Sequence, residues 1–190
     1  MQTLRRIAFA IVLLAWFTTD ARAGYTHYWT WKTPPSVEKL KAWIEDAREI
    51  VAQSPVPLAG PDGEGVPQFE PTSLSINGAG ENDSHEPFIF PNKDGFNFCK
   101  TQWKPYDVAV TALLIAARDH FSPKELEIGS DGAWGEEWQP GADLYQRALN
   151  RTAENPFIDN SSVVEIGSIV SKVILTGLIA LIVWLLVNTK

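Results

Sequence analysis

Phe88-Ile89-Phe90-Pro91-Asn92-Lys93-Asp94-Gly95-Phe96-Asn97-Phe98 is the stretch on which the fold turns. Two short aromatic runs flank five residues that include Pro, Asn, Asp and Gly. Aromatic runs bounded by such breakers read as strands, and a five-residue gap joins them as a β-hairpin. Pairing Phe90 with Phe96 sets Phe88 across from Phe98 and Pro87 across from Cys99. His85 then falls near Thr101, next to Cys99.

Downstream, Asp107 is a good N-cap for a helix running to Phe121. Val108 to Ala117 is apolar except for Thr111, so this helix is expected to be buried nearly all round. Leu126-Glu127-Ile128 follows as a short strand that ends in Gly129-Ser130-Asp131-Gly132. The strand ending at Cys99, the helix and this strand make a β-helix-β unit. If the two strands are parallel, Cys99 and Ser130-Asp131 emerge at one carboxyl edge, where α/β sheets tend to hold ligands. Glu81 to Glu86 reaches that edge too, whereas His120 falls at the opposite end.

Upstream, Tyr25, His27, Trp29 and Trp31 alternate with Thr26, Tyr28, Thr30 and Lys32, a period of two that predicts a strand with the tryptophans in the core. Ser36 caps a helix whose apolar residues Val37, Leu40, Trp43, Ile44, Ala47 and Val51 recur at three and four. From Pro55 to Pro71, Pro55, Pro57, Pro61 and Pro67 with Gly60, Gly63 and Gly65 break any regular element. Ala142 to Leu149 predicts a last short amphipathic helix. The expected class is α+β: one domain over 24–149, built from the hairpin and the β-helix-β unit.

The ends have a different character. Arg5-Arg6, the apolar run Ile7 to Phe17 and Ala21-Arg22-Ala23 read as a signal peptide over residues 1–23. Its 11 apolar residues are too short to span ~30 Å of hydrocarbon at ~1.5 Å per residue. Residues 150–167 are mostly polar and read as a stalk. Residues 168–188 read as a single transmembrane helix, with Lys172 able to snorkel and Trp184 near the far interface. Gly167, Ser171, Thr176 and Ala180 place small residues at four-residue spacing, which would suit a homodimer through that helix. The expectation is a membrane protein with its main domain on the extracytoplasmic side, periplasmic or at the cell surface.

Composition excludes two classes. Residues 24–167 carry 11 Lys and Arg against 22 Asp and Glu, a net charge of −11. Nucleic-acid binders need a basic face to replace phosphate counterions. Cys99 is the only cysteine, so no disulfide staples the chain. No phosphate loop, paired-cysteine site, HExxH or serine elbow is present, and the cofactor is unknown.

Three readings compete for the carboxyl edge. In a thiol enzyme carrying out acyl transfer or hydrolysis, Cys99 is the nucleophile, His85 its base and Asp131 the group that orients the imidazole. Lys100 and Lys104 would then help to ionise the thiol. In a metal site, Asp83, His85, Glu86 and Asp131 supply oxygens and one nitrogen; this reading ranks below the first. In a binding domain, Lys100, Ser130, Trp134 and Trp138 contact an envelope protein or a glycan, since exposed indoles beside carboxylates suit both. The binding domain, tethered to the membrane by its C-terminal helix, is the leading expectation.

Overall fold

The computed structural model describes residues 25–157. The segments expected to be a signal peptide (1–23), a transmembrane helix (168–188) with its homodimer contact, and most of the expected stalk lie outside the described residues. No helix of the described residues is long and apolar enough to cross a membrane.

The described chain is a small α+β domain. In order it runs β1 (Thr26–Trp31), α1 (Val37–Ala52), β2 (Leu58–Ala59), β3 (Gln68–Glu70), β4 (Ser73–Gly78), β5 (Phe88–Phe90), β6 (Phe96–Lys100), α2 (Asp107–His120), β7 (Leu126–Ser130) and α3 (Gln139–Leu149). Two antiparallel sheets form: one in the order β6-β1-β7, the other in the order β2-β4-β3 with β5 also on β4. β1 is central in the first sheet because its inward residues are large. Trp29 is 1% and Trp31 5% exposed, and their rings meet Phe88 and Phe90 of the second sheet. Trp43 of α1 packs on Phe90 as well and donates its indole N–H to the Leu113 carbonyl of α2. Aromatic rings thus join both sheets and two helices in one core.

Ser36 caps α1 as expected, its hydroxyl accepting from the Lys39 N–H. α2 departs from expectation at its start. The N-cap position is Tyr106, and the Asp107 carboxylate turns away from the helix to His27 and Thr101. Asp107 serves a tertiary contact instead of a local one. The Pro/Gly-rich stretch also departs: β2 and β3 both pair with β4, which sequence reading passed over. Leu74 and Ile76 alternate there with Ser73, Ser75 and Asn77, a period-two signal set among weak strand formers.

The predicted hairpin does not form a ladder. β5 pairs with β4, placing Leu74 against Phe90 and Ile76 against Phe88. β6 pairs with β1, placing Tyr28 against Phe98 and Thr30 against Phe96. Each aromatic run therefore takes a longer-range partner, and the two splay apart. The turn between them is pinned from below. Both the Trp29 and Trp31 indoles donate to the Pro91 carbonyl. Asn97, 1% exposed, donates to the Lys93 and Gly95 carbonyls and accepts from the Lys93 N–H. These bonds hold the turn compact without any β5–β6 pairing.

The β-helix-β relation is present with one strand inserted. β6 and β7 both run antiparallel to β1 and so parallel to each other, with β1 between them. His27 of β1 stands between Cys99 and Ser130, one on each side.

Candidate functional site

The carboxyl edge holds a closed polar network. His27 is fully buried. Its Nε2 lies 2.6 Å from Asp107 Oδ1 and its Nδ1 2.9 Å from Ser130 Oγ. Thr101 donates its hydroxyl to the same Asp107 oxygen at 2.5 Å. Donor and acceptor counting fixes the protons. The Gly132 N–H and the Trp138 indole N–H both point at Ser130 Oγ, filling its two acceptor positions. Ser130 must therefore donate to His27 Nδ1, and the ring proton sits on Nε2, facing Asp107.

Serine, histidine and aspartate in hydrogen-bonded order resemble a nucleophilic relay. The site does not work as one, because an oxygen with both lone pairs engaged has none to offer an electrophile. Its chemistry is the satisfaction of buried polar groups, which would cost several kcal/mol if left unpaired. Tyr25 roofs it, edge-on to His27 and stacked at 3.8 Å under Trp103. Burial, then the negative charge of Asp107, push the Tyr25 phenol well above its ordinary range.

The residues of the thiol reading are placed as follows. Cys99 is fully buried; it donates to the Glu86 carbonyl at 3.3 Å, and burial pushes its thiol well up. Since the thiolate is the nucleophile, this environment opposes the chemistry. The His85 ring is turned to the Lys100 carbonyl, with Nδ1 at 2.7 Å. Asp131 accepts the Thr26 N–H beyond the other edge of β1. The three do not converge. Lys104 contacts the Asn82 carbonyl instead of the thiol. For the metal reading, no group of three or more His, Cys, Asp or Glu able to hold an ion occurs among the described residues. Asp83 is exposed, and the Glu86 carboxylate accepts the Lys100 N–H. Trp138 and Ser130 of the binding reading belong to the closed network, and Trp134 is half-buried.

An open site lies one strand away, in the seam where the hairpin ladder was expected. A groove of about 280 Å³ is lined by Pro87 and Ile89 on the β5 side, Phe96 and Phe98 on the β6 side, and Lys93 in the turn. β6 is an edge strand, and Phe96 and Phe98 are 56% and 52% exposed. Tyr28, the neighbour of Phe98 on β1, lies 6.3 Å from the Phe96 ring but leans toward β7, so both phenyl rings stay half-exposed. Its ring lies across Gly129, where a Cβ would stand 2.2 Å from it, and its hydroxyl donates to the Ser130 carbonyl.

Register defines the edge. The Gly95 carbonyl accepts the Trp31 N–H, so the main-chain groups of odd-numbered β6 residues face β1. In an antiparallel ladder the alternate residues turn outward, which directs the N–H and C=O of Phe96, Phe98 and Lys100 into the seam. Lys100 is satisfied there by side chains: Glu86 Oε2 accepts its N–H at 3.0 Å and the His85 ring meets its carbonyl. Among the described residues, Phe96 and Phe98 have no such substitute.

The Phe98 edge is what sequence reading missed. Phe88, Phe90, Phe96 and Phe98 look equivalent in the chain, yet the first two point inward and the last two outward. A larger cavity of about 480 Å³ near His120, Tyr145 and Arg151 has most of its charges paired, Arg151 with Asp46 and Asp119, and Asp46 with His120, while Glu154 on its rim is exposed. Compared with known proteins, the chain matches no family model, no curated protein and no solved structure.

Proposed function

We propose that this chain is a membrane-tethered binding domain on the extracytoplasmic side, which engages an envelope protein or a glycan through the aromatic edge at Phe96 and Phe98. The observation that carries the reading is the pair of half-exposed phenyl rings on an edge strand beside a groove. Fully burying one such side chain is worth ~1.5–3 kcal/mol, so covering two half-exposed rings recovers about 2 kcal/mol. Exposed apolar surface on an unpaired edge is an association hazard unless a partner uses it. The groove is smaller than the ~300–1,000 Å³ of drug-sized ligand sites, which favours part of a larger molecule over a free metabolite. The net charge of −11 over residues 24–167 disfavours acidic polymers and nucleic acid. No observation favours the thiol enzyme.

The test uses the full chain in lipid nanodiscs, probed with a glycan array and a displayed random-peptide library. Binders are expected on wild type and lost with Phe98→Ser, while circular dichroism stays unchanged. Binders indifferent to Phe96 and Phe98, or hydrolysis of thioester substrates lost on Cys99→Ala, would contradict the proposal.

A further inference from the structure

We infer that the groove takes an extended polypeptide strand, which completes the open ladder of β6 and carries an acidic group at its Lys93 end. The inference rests on the binding reading above and names the class of partner.

Lys100 sets the pattern at the edge of β6. Its outward N–H and C=O are met by a carboxylate oxygen and an imidazole nitrogen, one acceptor and one donor from consecutive residues, Glu86 and His85. A neighbouring strand would supply the same two groups from its main chain. The two side chains thus stand in for a strand at one end of the seam. At the other end Phe98 and Phe96 repeat the same demand, a donor and an acceptor at each, with a two-residue period of roughly 6.6–6.8 Å. A polypeptide main chain has that period and that alternation of N–H and C=O. A glycan presents hydroxyls, each able to donate or accept, at spacings set by its ring linkages, and nothing in them matches the period.

The side chains agree. An incoming strand places alternate residues on the same face as Phe96 and Phe98, so apolar groups there would cover both rings. This is recognition by strand addition: ladder bonds supply affinity and alternate side chains supply specificity. Charge sets the polarity of the ligand. Lys93 is the exposed cation of the lining, whereas the Glu86 carboxylate at the far end is already bound to the Lys100 N–H. An acidic side chain or a terminal carboxylate at the Lys93 end is therefore complemented, and a basic one is not. The 280 Å³ groove and the two free positions limit the recognised core to a few residues.

The experiment pans a phage-displayed random hexapeptide library on the full chain in nanodiscs, then synthesises the selected peptides. They are expected to alternate apolar and polar residues and to carry Asp, Glu or a free carboxylate at one end. Each should slow amide hydrogen exchange at Phe96 and Phe98 at least tenfold. N-methylation at alternate peptide positions should abolish binding, and Lys93→Glu should weaken acidic peptides about tenfold. Selected peptides that bind without protecting those two amides, or that tolerate N-methylation at every position, would overturn the inference. A glycan that binds in a Phe98-dependent way while the library yields nothing would overturn the strand and leave the binding reading standing. Failure of both probes would overturn both.

Discussion

The two ends of β6 face the same structural demand and meet it differently. At the Lys100 end the outward N–H and C=O of Lys100 both have partners, and next to it the buried His27, Thr101 and Trp138 join the partly exposed Asp107 and Ser130 in one network. At the Phe96 end the outward main chain is open and two phenyl rings face water. The closed end holds the residue types associated with catalysis and is built for stability. The open end holds residue types associated with cores and is the surface proposed for contact. Residue chemistry alone would assign the two roles the other way round; hydrogen-bond accounting and exposure reverse them.

If that contrast is right, substitutions at the closed end should cost stability first. His27→Ala removes the bridge between Ser130 and Asp107 and leaves both without their buried partner. The expected loss is about 3–5 kcal/mol, read from denaturant unfolding; a loss below about 1 kcal/mol would mean that the network is open to water. Asn97→Ala removes three hydrogen bonds from the pinned turn and should cost about 2–3 kcal/mol. It should also broaden the groove, and peptide binding should fall with it. Cys99→Ala deletes a buried sulfur and its bond to the Glu86 carbonyl, with an expected cost of about 1–2 kcal/mol. Thiol reagents should label wild type only on unfolding, because burial holds the thiol protonated. Fast labelling of the native chain at neutral pH would reopen the enzyme reading.

Phe98→Asp should behave in the opposite manner. Surface substitutions of this kind change stability by about 0.5 kcal/mol or less, so folding persists while binding is lost. The smallest effect concerns acid. Glu125 is held down to about 2 by its hydrogen bond from Lys39 first, then by those from Ser122. A carboxyl with a depressed native pKa stabilises the fold above its unfolded value, 4.5, and this contribution is lost as pH falls from there to about 2. Glu125→Gln should be slightly less stable than wild type at pH 7 and equal to it at pH 2. The difference is small because the pair is partly exposed.

Much of the fold was legible. β1, α1, α2, β7 and α3 follow from periodicity and caps, because each has a strong pattern of its own. The Trp29 and Trp31 core positions follow from the same alternation. β4 was not legible, because Ser73, Ser75 and Asn77 dilute the signal of Leu74 and Ile76. The hairpin was misread for a different reason. Local turn chemistry at residues 91–95 does favour reversal, and the chain does reverse there, but the choice of strand partner is tertiary. β4 and β1 offer β5 and β6 larger buried contacts than they offer each other. Of the site residues, Cys99, Ser130 and His85 were placed near the correct edge. What could not be read was direction: which face each side chain takes, and that Ser130 bonds to His27 of a strand inserted between β6 and β7.

The most direct measurement is residue-by-residue amide hydrogen exchange along β6 in the full chain without ligand. The account predicts alternation: Asn97 and Cys99, which donate toward β1, exchange slowly; Lys100, held by Glu86, is also slow; Phe96 and Phe98 exchange at least a hundredfold faster than Asn97. Uniform protection from Phe96 to Lys100 would contradict it, since the seam would then be closed and β6 would have no edge to offer a partner.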